Sequence, residues 1–171
     1  WSNTIHTGQS DGSDAFEAYS VISNNAHEGN ACLYITKDGN DFEDFHDMPI
    51  LYANYVEDLL PGRYQMKAWA KMKPANEFDD KQQTFALGLI SGTANNKVVV
   101  CVSEPKVVLS NDTYVELTYE FELNSETTAC PAIGVKRDAG DFIPFYIDDV
   151  SLKRIKCPER GDEVQTIDIA D

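Results

Sequence analysis

Residues 63–73 read RYQMKAWAKMK, and apolar side chains alternate with polar ones along the whole stretch. Because successive side chains of a β-strand point to opposite faces, this period of two indicates a strand with one face in a core. The opposite face carries cationic and amide side chains and one large ring, Trp69. The predicted inward positions are Tyr64, Met66, Ala68, Ala70 and Met72.

The same rhythm recurs along the chain, and no segment carries the 3.6-residue stripe of an amphipathic helix. Residues 114–123 read YVELTYEFEL, with Val115 and every second residue after it apolar. Turn-forming pairs such as Pro61-Gly62 and Asn111-Asp112 separate the runs. This pattern predicts an all-β chain folded as a β-sandwich or jelly roll, and with the resemblance described below we expect a jelly-roll β-sandwich of two antiparallel sheets. The further predicted strands are Ala15–Ile22, Ala31–Thr36, Ile50–Val56, Thr84–Ile90, Lys97–Val102, Ala132–Val135 and Phe142–Leu152.

The composition narrows the choice of partner. The 171 residues include 29 acidic and 14 basic side chains, for a formal net charge of -15. This charge repels phosphate backbones and anionic membrane surfaces, so we expect no nucleic-acid or membrane partner, whereas a neutral sugar chain is indifferent to it. We expect a monomer with one domain over residues 1–155 and a tail, 156–171, that is either an extra edge strand or a linker.

Four cysteines occur, and their spacing contains no CxxC pair or Cys/His pattern typical of a zinc site. An even number permits two disulfides in an oxidising compartment. Cys32 and Cys101 lie inside apolar runs, which favours buried free thiols over disulfides at these positions.

Four segments, in this order, resemble carbohydrate-binding modules of families 4, 9 and 22, the jelly-roll modules of xylanases and glucanases. They read AHEGNACLYI (26–35), LPGRYQMKAWAK (60–71), YVELTYEFEL (114–123) and FYIDDVSL (145–152). The first strand of those families has no counterpart here. Either the sequence begins after it, or the alternating tail at 164–169 adds the missing pairing at an open sheet edge.

The resemblance implies a structural calcium ion. The matching motifs assign the calcium ligands to Glu28 and Asp148, through their side-chain oxygens, and to Ala31, through its backbone carbonyl. Calcium prefers oxygen ligands of these two kinds. The alternative interpretation places Glu28 in a solvated turn and gives Asp148 hydrogen bonds at the end of a strand.

The resemblance also implies a sugar cleft on the concave face of one sheet, where aromatic rings stack on sugars and polar groups bind hydroxyls. Alternation puts Tyr52 and Asn54 on one polar face, with Phe45 and His46 at its entrance. Trp69 is either a sugar platform or a packing residue under a loop on the other sheet. The predicted hydroxyl partners are Lys136, Arg137, Glu104, Gln83 and Asp141.

No nucleophile, metalloprotease or phosphate-loop motif is present in the sequence, so we expect no enzyme activity. The resemblance implies binding of a plant-type polysaccharide, xylan or a mixed β-glucan, in a shallow cleft. The module then targets a covalently linked glycoside hydrolase to its substrate. The chain opens at Trp1 as a mature or excised domain would, and we expect a secreted, cell-surface or periplasmic protein. The alternative is a structural or protein-interaction sandwich without a sugar site.

Overall fold

The computed structural model describes residues 6–7, 19–35, 50–52, 56–73, 82–93, 96–109, 113–137, 143–156 and 165–168. These residues form thirteen strands and no helix. The strands are β1 (His6–Thr7), β2 (Tyr19–Ile22), β3 (Cys32–Ile35), β4 (Ile50–Tyr52), β5 (Val56–Leu59), β6 (Gly62–Met72), β7 (Gln82–Thr93), β8 (Asn96–Val102), β9 (Lys106–Leu109), β10 (Val115–Leu123), β11 (Thr127–Arg137), β12 (Phe145–Lys156) and β13 (Gln165–Asp168).

The strands form two antiparallel sheets. The larger sheet has seven strands in the order β1-β4-β11-β7-β8, with β5 also paired to β11 and β9 also paired to β7. The smaller sheet has six strands in the order β10-β6-β12-β3-β2, with β13 also paired to β12. This arrangement confirms the predicted all-β sandwich. Within the described segments, none is a helix long and apolar enough to cross a membrane.

The core lies between the two sheets. All five inward residues predicted for β6 are fully buried, and Leu117, Phe121 and Leu123 of β10 are buried with them. Phe85 of the larger sheet meets Phe145 of the smaller sheet edge to face, with ring centroids 5.1 Å apart. The alternation in the sequence therefore predicted the buried face correctly, because burial on one side of a strand requires apolar residues at every second position.

Several strands differ from the predicted ones. The predicted strand Ile50–Val56 is represented by β4 and the start of β5. Strand β9 was missed because its sequence, KVVL, has no clear alternation. Residues 165–168 of the tail form β13, which pairs with β12 from Ser151 to Arg154.

Strand β11 begins at Thr127, five residues before the predicted start, and continues through Pro131. A proline cannot donate to a sheet ladder and is rare inside a central strand. On one side of β11 the last pair with β5 is at Ala129, and the first pair with β4 is at Ala132. Pro131 falls between these two partners, so the ladder tolerates a residue without an N–H there.

Candidate functional site

The outer face of the larger sheet carries small residues at its centre. Strand register places Ala132 opposite Gly88 and Gly134 opposite Ala86. Directly opposed residues of antiparallel strands share a face. The alternate position, Ile133, belongs to the core between the sheets, so these four small residues lie on the side away from it.

This centre is itself buried and packs as a second hydrophobic cluster. Neither Gly88 nor Gly134 has a positive φ, so the backbone conformation does not require glycine at either position. A glycine inside a strand often marks a bulge, a bend, or a close approach by a ligand or another part of the backbone. The buried residues of the cluster are Ala86, Ile90, Cys130 and Ala132, with Val99 and Val102 packed against them.

Two of the predicted sugar-binding residues occupy positions on this outer face. Tyr52 pairs with Ala132, beside the small centre, and Lys136 pairs with Thr84. Lys136 lies four positions after Ala132 along β11, a distance of about 13 Å. Arg137, the next residue along β11, pairs with Gln83.

The other predicted residues of the cleft are not brought together by the described structure. Phe45, His46, Asn54 and Asp141 lie outside the described residues. Glu104 is exposed in the turn between β8 and β9, and its carbonyl oxygen accepts a hydrogen bond from the Ser103 hydroxyl at 3.0 Å. Glu104 follows β8, which lies three strands away from β4, the strand that carries Tyr52. Neighbouring strands are about 4.8 Å apart.

Gln83 is not available as a hydroxyl partner. Its side chain is fully buried, and both polar atoms of its amide are used by one residue. Nε2 donates to the carbonyl of Ile143 at 3.0 Å, and Oε1 accepts from the Ile143 N–H at 2.9 Å. Gln83 therefore replaces a sheet partner for Ile143, just before β12, and the prediction that it binds sugar is wrong.

Trp69 lies on the outer face of the smaller sheet, on the opposite side of the sandwich. The loop that follows β2, residues 23–31, crosses this face. His27 of the loop stacks on the indole with ring centroids 3.9 Å apart and an interplanar angle of 16°, and Tyr114 meets the His27 ring edge on at 5.2 Å. One face of Trp69 is thereby covered, as the packing interpretation predicted.

Lys71 is buried beside this stack although it lies on the polar face of β6. It is 7% exposed, and its Nζ lies 5.0 Å from the ring centroid of Tyr114 and 5.1 Å from that of Tyr146. The ammonium also donates to Asn25 Oδ1 at 3.3 Å. Aromatic faces and an amide oxygen thus offset the cost of removing this charge from water. Sequence alternation missed this burial because it depends on the loop.

Tyr114 anchors the same loop from β10. Its hydroxyl donates to the Asn25 carbonyl at 2.6 Å. Burial raises the pKa of Tyr114 above its usual range, and burial also raises the pKa of the neighbouring Cys32 thiol. Both groups are therefore neutral near pH 7, so the phenol keeps the proton that it donates. Cys32, Cys101 and Cys130 are free thiols.

The carboxylates of Asp148 and Asp149 hold the turn of the loop. Asp148 Oδ2 accepts the His27 N–H at 2.6 Å and the Glu28 N–H at 3.4 Å, while Oδ1 accepts the Asp149 N–H at 2.9 Å. Asp149 Oδ2 lies 2.7 Å from His27 Nδ1.

The predicted calcium ligands do not assemble a coordination sphere. Calcium takes six to eight oxygen ligands, but Glu28 and Ala31 are exposed and both oxygens of Asp148 already accept backbone N–H groups. The part of the chain that the structure describes contains no group of three or more His, Cys, Asp or Glu side chains that could hold a metal ion. Among the residues that the structure describes, the predicted ligands therefore do not fit a bound calcium ion.

Comparisons with known proteins found similar structures but no match to a family profile or a curated protein. No protein-family profile matches the sequence, and no curated protein matches it. The fold is similar to that of a xylan-binding domain of family 22, with 16% identity, a TM-score of 0.52 and coverage of 77% of this chain and 78% of that one.

Two structures from Clostridium thermocellum are similar as well. The C-terminal family 22 carbohydrate-binding module of xylanase 10B has 14% identity and a TM-score of 0.52, with 86% of this chain and 90% of that chain covered. The N-terminal family 22 and GH10 modules of endo-1,4-β-D-xylanase 10B, complexed with xylohexaose, have 16% identity and a TM-score of 0.53, with 85% and 25% covered. The chain therefore has the β-sandwich fold of these modules, and it resembles carbohydrate-binding modules as its four sequence segments indicate.

Proposed function

We propose that this chain is a non-catalytic carbohydrate-binding module that holds a neutral polysaccharide chain against the outer face of its larger sheet. The observation that carries the proposal is the fold, which is similar to that of xylan-binding modules. Strand register adds that Tyr52 and Lys136 occupy positions that border the buried centre of the larger sheet.

The contacts are proposed to come from residues that border the small centre. Ala86 is 2% exposed and Ala132 is fully buried, so a glycan does not rest on them directly. Tyr52 and Lys136, at either end of this stretch of the face, supply an aromatic ring for the apolar side of a pyranose and a donor for its hydroxyls. Phe45, His46 and Asn54 are proposed to extend the site.

The charge of the chain agrees with a neutral ligand. A net charge of -15 opposes the approach of polyanions and is indifferent to uncharged sugar chains. Xylan or a mixed β-glucan is the proposed ligand, supported by the resemblance to families 4, 9 and 22. In the parent protein, a secreted one, the module is proposed to tether a glycoside hydrolase near its substrate and raise its effective concentration.

Affinity electrophoresis of the 171-residue protein through gels containing xylan, mixed β-glucan or mannan tests the proposal. We expect retardation in xylan or β-glucan, and we expect Tyr52→Ala to weaken the binding on the order of tenfold, because one stacked ring is lost. Tyr34→Ala is the matched control, since Tyr34 stacks on Tyr146 on the other sheet. The Tyr34→Ala variant is expected to bind the polysaccharide with the affinity of the wild type.

The outcomes separate the two candidate functions. Migration without retardation in every gel, by protein whose circular dichroism shows a folded β-sandwich, refutes the sugar-binding proposal and favours the structural or protein-interaction alternative. Retardation that Tyr34→Ala abolishes and Tyr52→Ala leaves intact moves the site to the smaller sheet. Release of reducing sugar by the isolated protein contradicts the non-catalytic part of the proposal.

A further inference from the structure

We infer that the loop over the smaller sheet is locked to β12 by this chain's own side chains, at a junction that does without calcium. The junction consists of loop residues 25–28 together with Asp148 and Asp149. It is independent of the proposed sugar site, which lies on the other sheet. The inference rests on three features of the junction: its backbone, its hydrogen-bond acceptors and its side-chain contacts.

The backbone of β12 turns two consecutive carboxylates toward the loop. In a regular strand, neighbouring side chains point to opposite faces. Here the register with β6 shifts between Asp148 and Ser151, and Asp149 has a left-handed conformation with φ 47°. A bulge of this kind redirects side chains, so both Asp148 and Asp149 reach His27.

Backbone N–H groups already satisfy the Asp148 carboxylate. Its two oxygens accept the N–H groups of three residues, His27, Glu28 and Asp149. Hydrogen bonds from backbone N–H groups to a carboxylate are charge-assisted and stronger than those between neutral groups. The turn that presents these N–H groups depends on Gly29, whose φ is +65° and which favours glycine over any residue with a side chain.

Side chains of the chain itself also hold the loop in place. His27 Nδ1 lies 2.7 Å from Asp149 Oδ2, and stacking on Trp69 holds the ring in place. The buried ammonium of Lys71 binds Asn25 Oδ1 in the same loop. These groups are covalently part of the fold, so they stabilise the junction at any calcium concentration.

Thermal unfolding of the 171-residue protein, in EDTA and in millimolar calcium chloride, tests the inference. We expect the Tm values in the two buffers to agree within about 1 °C. A bound calcium ion, at a calcium concentration a thousand times its Kd, would raise Tm on the order of 10 °C for a domain of this size. Terbium emission sensitised by Trp69 gives a second readout, and we expect none.

Three variants make the result specific. His27→Ala and Asp148→Asn are expected to lower Tm equally in both buffers, because each removes a contact that does not involve an ion. Glu28→Gln is the control, since Glu28 is an exposed predicted calcium ligand, and its Tm is expected to match the wild type in both buffers.

A calcium-dependent rise in the wild-type Tm that disappears in Asp148→Asn and Glu28→Gln overturns the inference. Failure of the wild-type protein to fold in EDTA, with folding restored by calcium and lost again in Asp148→Asn, also overturns it. A rise that persists in both variants places calcium elsewhere in the chain and leaves the junction as inferred.

Discussion

The imidazole of His27 lies flat against the indole of Trp69, with ring centroids 3.9 Å apart and planes 16° apart. The two residues are 42 positions apart in the sequence, and their contact pins the loop after β2 to the outer face of the smaller sheet. The stack covers one face of the indole. Four predictions concern this contact and other contacts of the fold.

Replacement of Trp69 by alanine is expected to lower the free energy of unfolding by about 2–4 kcal/mol, since a large, half-buried ring and its stacking partner are lost. Urea denaturation followed by circular dichroism measures this change. Glycan affinity below the unfolding transition is expected to remain at the wild-type value. A variant with wild-type stability and no glycan binding contradicts the packing role and restores Trp69 as a sugar platform.

The left-handed backbone of Asp149 predicts an inverted preference between glycine and alanine. Both Asp149→Gly and Asp149→Ala remove the contact with His27, so their difference isolates the backbone. With φ at 47°, the alanine variant is expected to be less stable than the glycine variant by about 1 kcal/mol.

Ser151, on the same strand, provides the control for this comparison. Its φ is not positive, and there the order is expected to reverse, with Ser151→Gly less stable than Ser151→Ala by about 0.5–1 kcal/mol. Equal stabilities of the two Asp149 variants in urea denaturation contradict a strained backbone at that position.

Loss of the Gln83 amide is expected to leave the backbone of Ile143 without its partner. Gln83→Leu is similar in size but cannot bond the Ile143 N–H and carbonyl, each of which costs about 1–3 kcal/mol when buried and unpaired. We expect the free energy of unfolding to fall by a similar amount and the Ile143 amide hydrogen to exchange faster with deuterium. Gln65→Leu, on the outer face of β6, is the control. Unchanged exchange at Ile143 in Gln83→Leu contradicts the assignment.

The exterior of the smaller sheet predicts a weak acid sensitivity. Hydrogen bonds from Lys67 and Thr118 lower the pKa of Glu116, with Lys67 Nζ 2.7 Å from the carboxylate. Since the folded-state pKa lies below the unfolded value of about 4.3, the stabilisation is present above that pH and is lost as the pH falls through the folded-state pKa.

Carboxyl-carbon NMR titration measures the effect directly. Lys67→Met is expected to raise the pKa of Glu116 toward its ordinary value. Lys153→Met removes the same charge from β12, two strands away, and is expected to leave the pKa of Glu116 unchanged. The same Glu116 pKa in wild type and Lys67→Met contradicts the pairing.

Part of the candidate site could be predicted from local pattern. Tyr52 was predicted from its alternation in a strand, and the strand register pairs it with Ala132. Gln83 was misjudged, because the sequence does not show which face of a strand meets the core when both faces contain polar residues. Only the hydrogen bonds between its amide and the backbone of Ile143 reveal that Gln83 belongs to the interior.

The sequence by itself determined that this chain is built of strands with one apolar face, because a period of two in side-chain polarity is a local property. It also contained the four segments that resemble carbohydrate-binding modules. Only the tertiary structure decided that Asp148 accepts the N–H groups of a turn 120 residues away, that the loop buries Lys71, and that β11 changes partner at Pro131. These features depend on strand register and loop docking, which arise from contacts between residues far apart in the chain.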